Sequence, residues 1–182
     1  IVDDASSDNS VEIIKSYAEK DSRIKLIQHD KNKGLAQTIL TALEHATSYW
    51  VAFLESDDGF EPDNLLKKSE IIQKYPDTKL IFNKVNFLNE KKFKQQKIFE
   101  NTQKKLSKMN FPKNMFYDFG VDNMILTFSC VAVKKNFLEK LDFNCPFDEA
   151  LDRFLWIQAA YQTDFYYIDK ELTSWQLHDK SY

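Results

Sequence analysis

Carboxylates are the residues of this chain whose types and spacing could do chemistry. Three acidic groups, Asp3/Asp4, Glu55/Asp57/Asp58 and Asp148/Glu149/Asp152, fall where strand-like segments give way to helical ones. Glu55 and Asp57 stand two apart on an extended turn, so both side chains can point to one side, with Asp58 facing the other way to hold the turn at Gly59. Such a pair suits a hard divalent cation, Mg²⁺ or Mn²⁺, which takes one or two protein carboxylates and completes its shell with phosphate oxygens. The same acids also suit a plainer role ahead of the helix that starts at Pro62, where negative charge is favourable by ~0.3–1 kcal/mol. Spacing alone leaves both readings open.

Composition removes several function classes. The 182 residues amount to about one domain. A net charge of −3 argues against a duplex-binding protein and nucleic-acid partners. No apolar run approaches the ~20 residues that cross a bilayer, and Ile1-Val2-Asp3-Asp4 is unlike a signal peptide. Two cysteines, Cys130 and Cys145, fit a reducing compartment better than a disulfide framework. With only Gly34, Gly59 and Gly120, neither GxGxxG nor GxxxxGK[ST] can be written.

The elements that must position the acids alternate. Ile1-Val2 reads as the end of a strand and 9–20 as a helix, with Asn9 and Glu12 spaced for reciprocal capping. Next come strand 24–28, helix 35–46, strand 50–54, a helix from Pro62 to about Tyr75 and strand 80–82. Trp50-Val51-Ala52-Phe53-Leu54 has the unbroken apolar character of a strand buried on both faces of a parallel sheet. This order predicts right-handed crossovers and an α/β, Rossmann-like, mainly parallel sheet flanked by helices. Ligands on such sheets bind beyond the carboxyl ends of the strands, where Asp3-Asp4 and 55–58 lie. The short first strand suggests that another precedes it upstream. Residues 84–110, rich in Lys, Asn and Gln, read as a solvated hairpin or loop, with a lid over an anion as the sharper alternative. Residues 123–133 read as a strand, 134–141 and 150–161 as helices, and 165–168 and 172–177 as strands. His29 and His45 read as surface positions, Trp50, Trp156 and Cys130 as packing residues, and Trp175 as either packing or a sugar platform.

Val2-Asp3-Asp4-Ala5-Ser6-Ser7-Asp8-Asn9-Ser10 resembles the VDDxSxDxS segment of family 2 glycosyltransferases. Gly34-Leu35, Ala42-Leu43-Glu44-His45-Ala46, Val51 to Asp58 and Pro62-Asp63 are similar to the segments that come next in that family. More loosely, Phe147-Asp148-Glu149, Asp152, Trp156, Phe165 to Asp169, Leu172-Thr173 and His178 resemble its later succession. The resemblance implies a GT-A fold over 1–182, with 1–83 as the nucleotide-binding half, 84–182 as the acceptor side including a small antiparallel portion, and a first strand missing upstream. It further implies inverting transfer of a sugar from a nucleotide-diphosphate sugar, a UDP-sugar first among them, to a carbohydrate, lipid-linked or glycoconjugate acceptor, assisted by Mn²⁺ or Mg²⁺.

Carried over residue by residue, Asp4 would hydrogen-bond the base beside a more structural Asp3, with Lys33, Gly34, Glu55 and Ser56 completing the nucleotide site. Asp57 and His178 would meet the metal or diphosphate. Asp152 would be the general base, with Asp148 and Glu149 as rivals, because Leu151 stands where the family has an acid. Glu55 stands in place of an Asp, and Ile39 in place of an Arg for which Lys31 or Lys33 are the nearby cations. The resemblance implies a cytoplasmic protein, with peripheral contact to the inner face of a membrane. Two other classes share part of this pattern. A signalling receiver shares the opening Asp pair but needs an Asp ending its middle strand, where this chain has Glu55. A non-catalytic nucleotide-sugar-binding domain would keep the fold without the base.

Overall fold

The computed structural model describes residues 1–88, 94–146 and 150–177. It divides into two units, Ile1–Ser48 and Tyr49–Tyr182.

The first unit holds β1 (Val2–Asp3), α1 (Ser10–Ala18), β2 (Ile27–Gln28) and α2 (Leu35–His45). β1 and β2 pair in parallel, with Val2 opposite Ile27. The expected reciprocal cap is not formed at α1: Asn9 makes no side-chain cap bond, and the Ser10 amide donates instead to Asp8 Oδ1 at 3.0 Å. An Asx turn led by Asp8 thus holds the first amide of the helix. α2 starts after Gly34, whose φ of +82° strains any residue with a Cβ.

The second unit holds β3 (Trp50–Ala52), β4 (Gly59–Phe60), α3 (Asn64–Lys74), β5 (Leu80–Phe87), α4 (Lys94–Leu106), α5 (Phe116–Val121), β6 (Val131–Lys134), α6 (Lys135–Leu138), α7 (Leu151–Gln162) and β7 (Phe165–Trp175), with a 3₁₀ turn at Phe128–Cys130. Its sheet runs β3-β6-β5-β7-β4. β5 and β7 are parallel, whereas β6 runs antiparallel to β3 and β5, and β4 antiparallel to β7. The α/β class is as expected, with a mixed sheet in which antiparallel pairing takes a larger share than residues 1–83 suggest. β3 is correspondingly a terminal strand of this sheet rather than a central parallel one.

Of the expected strand over 123–133 only the part from Val131 forms, behind the 3₁₀ turn at Phe128–Cys130, and two further segments depart from expectation for visible reasons. Residues 94–106 form a helix rather than a loop, because Gln96, Phe99, Gln103 and Leu106 recur at helical spacing and are buried. Half of that inward stripe is polar, so hydrophobic periodicity understates it. β7 is one strand, not two. The register against β5 shifts at Asn83/Lys84 and Lys84/Val85, leaving Asp169 and Lys170 exposed within a continuous ladder. The core lies between β5, β6, β7 and α7, where Leu80, Ile81, Val131, Val133, Trp156 and Phe165 are almost completely buried.

Candidate active site

In the first unit, the chain turns out of β1 through Asp3 and Asp4. Asp3 is buried, and its Oδ2 accepts the Ser6 amide at 3.2 Å. Asp4 ties the turn to the loop before α2: Oδ1 accepts the Lys33 amide and Oδ2 the Gly34 amide, each at 2.8 Å. His29 Nδ1 lies 2.7 Å from Asp4 Oδ1 and Nε2 lies 3.0 Å from Thr41 Oγ1. With Asp4 ionised, Nδ1 carries the shared proton. Burial alone would push the Asp4 carboxyl up, but the hydrogen bonds from His29, Lys33 and Gly34 outweigh it and hold the group below the usual carboxylate range.

His29 is therefore not a surface residue: it is buried as the link between β2 and α2. His45 is exposed on α2 as expected, its Nδ1 near the Thr41 carbonyl at 2.8 Å.

In the second unit, the acids after β3 converge on a residue that sequence reasoning passes over. Thr127 Oγ1 lies 2.5 Å from Glu55 Oε2 and 2.9 Å from Asp58 Oδ2, and it accepts the Ser129 amide at 3.1 Å. The Glu55 amide donates to Ser129 Oγ at 2.9 Å. Asp58 thus shares a partner with Glu55 instead of facing away. The reason is local: the Asp58 amide donates to the Glu55 carbonyl at 3.2 Å, closing a turn that replaces the two-residue alternation of extended chain. Asp58 Oδ1 also accepts the Gln176 amide at 3.1 Å, joining the turn to the end of β7. Ser56 and Asp57 are exposed at the tip.

One hydroxyl proton cannot serve two carboxylates. The Glu55 carboxyl is pushed up first by burial and then by the negative charges of Asp58, Asp57 and Asp152, against the pull of the Thr127 hydrogen bond.

Asp152 sits half-buried in the first turn of α7, where Asn123 Nδ2 donates to Oδ2 at 3.2 Å. Burial raises its carboxyl above the ordinary value, outweighing the hydrogen bonds from the Arg153 backbone and Asn123. Glu55, Asp57, Asp58 and Asp152 therefore share one electrostatic environment. Asp148, Glu149 and His178 lie outside the described residues. Among the described residues no three His, Cys, Asp or Glu side chains form a ready metal cage.

A buried network fixes this arrangement from below. Thr173 Oγ1 donates to the Ser129 carbonyl at 3.2 Å and accepts from Asn64 Nδ2 at 3.2 Å and Asn83 Nδ2 at 3.1 Å. Trp156 is fully buried against Phe53 and Phe128, with ring centroids 6.3 and 5.4 Å away, so it is a packing residue. Trp175 packs on Phe87 and Phe99. Cys130 is buried. A signal for the missed residues is present: Thr127 and Ser129 are polar interruptions of an otherwise apolar stretch, and buried hydroxyls need partners.

Residues 1–142 match glycosyl transferase family 2, and the chain belongs to that family. It is 40% identical over 72 residues to the putative teichuronic acid biosynthesis glycosyltransferase TuaG of Bacillus subtilis, covering 40% of this chain and 29% of that protein. Among solved structures it is similar to S. aureus TarS 1–349 in complex with UDP, at a TM-score of 0.71 and 20% identity over 97% of this chain and 50% of that one. It is also similar to the mannosyltransferase PcManGT of Pyrobaculum calidifontis in complex with GDP-Man and Mn²⁺, at a TM-score of 0.68 and 18% identity over the whole of this chain and 48% of the other. These structures share its GT-A fold. The chain spans about half of each of them and less than a third of TuaG.

Proposed function

We propose that this chain carries the donor-binding and base-bearing part of a glycosyltransferase, moving a sugar from a nucleoside-diphosphate sugar to an acceptor hydroxyl with inversion. The observation that carries the reading is the Asp152 carboxyl, raised by burial, oriented by Asn123 and set in the same field as Glu55, Asp57 and Asp58. UDP in the TarS structure and GDP-Man with Mn²⁺ in PcManGT support the donor class.

In the transfer, the acceptor oxygen bonds to the anomeric carbon on the face away from the diphosphate. The bond from that carbon to the phosphate oxygen breaks, and the diphosphate leaves with the electron pair. Asp152 receives the acceptor proton, a contribution of typically ~10²–10⁴-fold in rate. A burial-raised carboxyl is a stronger base than an exposed one and suits this role.

The donor set fits a hard divalent cation. Asp57 is exposed beside Glu55 and Asp58, all oxygen donors, and Mg²⁺ or Mn²⁺ takes only one or two protein carboxylates when a diphosphate supplies the rest. Asp57 would hold the ion, with His178 as a second contact, and the cation would supply charge neutralisation at the departing diphosphate. Glu55 and Ser56 would contact the nucleotide. Asp3, Asp4, Lys33 and Gly34 are assigned to the nucleotide, Asp4 by fixing the 33–34 backbone as a rigid edge. The acceptor is a carbohydrate, lipid-linked or glycoconjugate hydroxyl, and the site of action is the cytoplasm.

Titration of UDP and GDP with and without Mn²⁺, together with a nucleotide-sugar release assay, tests the reading. Mn²⁺-dependent binding lost in Asp57→Ala, and release abolished in Asp152→Asn with binding retained, are the expected results. No binding of any nucleoside diphosphate overturns the assignment. Retained turnover in Asp152→Asn moves the base to Asp148 or Glu149, and binding without turnover of any donor makes the chain a binding domain.

A further inference from the structure

α4, α5 and the end of α7 form one continuous face. Thr102 of α4 donates to Asp122 Oδ2 just past α5 at 2.9 Å, and Lys105 Nζ reaches Asp118 Oδ1 of α5 at 4.0 Å. The Phe116 ring of α5 meets Tyr161 of α7 with centroids 5.6 Å apart, and Asn114 donates to the Ala160 carbonyl at 2.7 Å.

This face leaves large side chains in solvent: Tyr117 is 86% exposed, Val121 81% and Tyr161 76%, with Phe116 beside them. Single exposed apolar residues are ordinary, but a contiguous group of this kind marks an interaction surface. Its charge is as distinctive. Residues 94–122 hold six lysines (94, 97, 104, 105, 108 and 113) against three acids, Glu100, Asp118 and Asp122, although the chain as a whole carries −3. Lys97, Lys104, Lys105 and Lys108 are exposed along the outer side of α4 and beyond it. Asp118 is paired with Lys113 and Lys105, Asp122 accepts from the Thr102 hydroxyl and Glu100 from the Gln96 amide, so each of these acids has a partner within the face.

We propose that this face docks on an anionic bilayer surface. Tyrosine and phenylalanine seat at the headgroup boundary, where an apolar ring and a polar tip are both satisfied. Lysines beside them keep their ammonium groups at the phosphates while their stems cover apolar surface. Each lysine at such a surface strengthens binding about fivefold, and the attraction is screened by salt. No helix among the described residues is long and apolar enough to cross a membrane, and the attachment proposed through this face is interfacial. Docking through this face is independent of the transfer reaction, and its test uses no sugar donor.

Flotation with vesicles of phosphatidylcholine alone, and with about one-third phosphatidylglycerol, reads it out. The chain floats with the anionic vesicles and not with the neutral ones, and high salt releases it. Tyr117→Ser/Val121→Ser/Tyr161→Ser lowers the bound fraction by roughly tenfold or more, and Lys97→Gln/Lys104→Gln/Lys105→Gln does so through the electrostatic part. Circular dichroism confirms that both variants, which change only exposed positions, remain folded. Absence of flotation, equal binding to neutral vesicles, or binding unchanged in both variants overturns the proposal. A concentration-dependent dimer dispersed by the aromatic variant overturns it too, because the face would then be a contact between copies.

Discussion

The Thr127 hydroxyl lies 2.5 Å from Oε2 of Glu55, close enough that the two side chains share a hydrogen rather than merely neighbour one another. Asp58 Oδ2 lies 2.9 Å from the same Thr127 hydroxyl. The threonine thereby spaces two acids that would otherwise repel.

Thr127→Val removes this spacer at nearly constant volume. It strands the Ser129 amide and leaves Glu55 and Asp58 without their common partner, so unfolding free energy should fall by about 1–3 kcal/mol. Thr127→Ser keeps the hydroxyl and should recover most of it. Urea denaturation of the three proteins measures the difference.

Asp152 and Glu55 give the protein an acid-side pH signature. Their ordinary values are 3.8 and 4.5, and burial raises both in the folded state. Between the ordinary and the raised values the folded chain binds more protons than the unfolded one, so stability falls as pH rises through that window. The contribution is complete below the ordinary values. Asp152→Asn should therefore gain stability relative to the parent as pH climbs above 3.8, which denaturation at stepped pH detects. Asp4 acts in the opposite direction: its lowered carboxyl supplies stability that is lost as pH falls through the folded value.

Asp4→Asn probes the other turn. A carboxylate accepts from the Lys33 amide, the Gly34 amide and His29 at once, whereas an Asn presents one NH₂ to that ring of donors. A loss of about 1–3 kcal/mol is expected, together with faster hydrogen exchange at Lys33 and Gly34 measured by NMR.

Lys68 predicts an unusual alkaline behaviour. It is 2% exposed, its Nζ has no hydrogen-bond partner among the described residues, and it lies 5.2 Å from the centroid of the Phe60 ring. Burial lowers its pKa from 10.5 to about 8. The folded state releases this proton before the unfolded state does, so stability should rise from about pH 8 towards 10.5. Lys68→Met should be more stable than the parent at pH 7 and should lose that rise in thermal melts.

What depends on short-range pattern is legible in the sequence. The strand–helix alternation of 1–83 and the acids at its turns are readable from spacing. What escapes it depends on distance along the chain. His29 reads as a surface residue because its partners are 25 and 12 positions away. Thr127 is 72 residues from Glu55, and no periodicity links them. α4 is hidden by its own chemistry, since Gln96 and Gln103 occupy positions where an apolar residue would disclose the inward stripe.

Four separate stretches of chain, α3, β5, β7 and the turn at 128–130, meet at the single hydroxyl of Thr173. The carbonyl it holds belongs to the same residue whose side chain receives the Glu55 amide. That floor has no seam along which to fray: deuterium should enter the 127–130 backbone only when the whole sheet comes apart, while the tip at Ser56 and Asp57 exchanges freely above it. The Glu55 end of that turn would then rest on the slowest-opening part of the molecule, and thermal softening would reach the tip long before it reached this foundation.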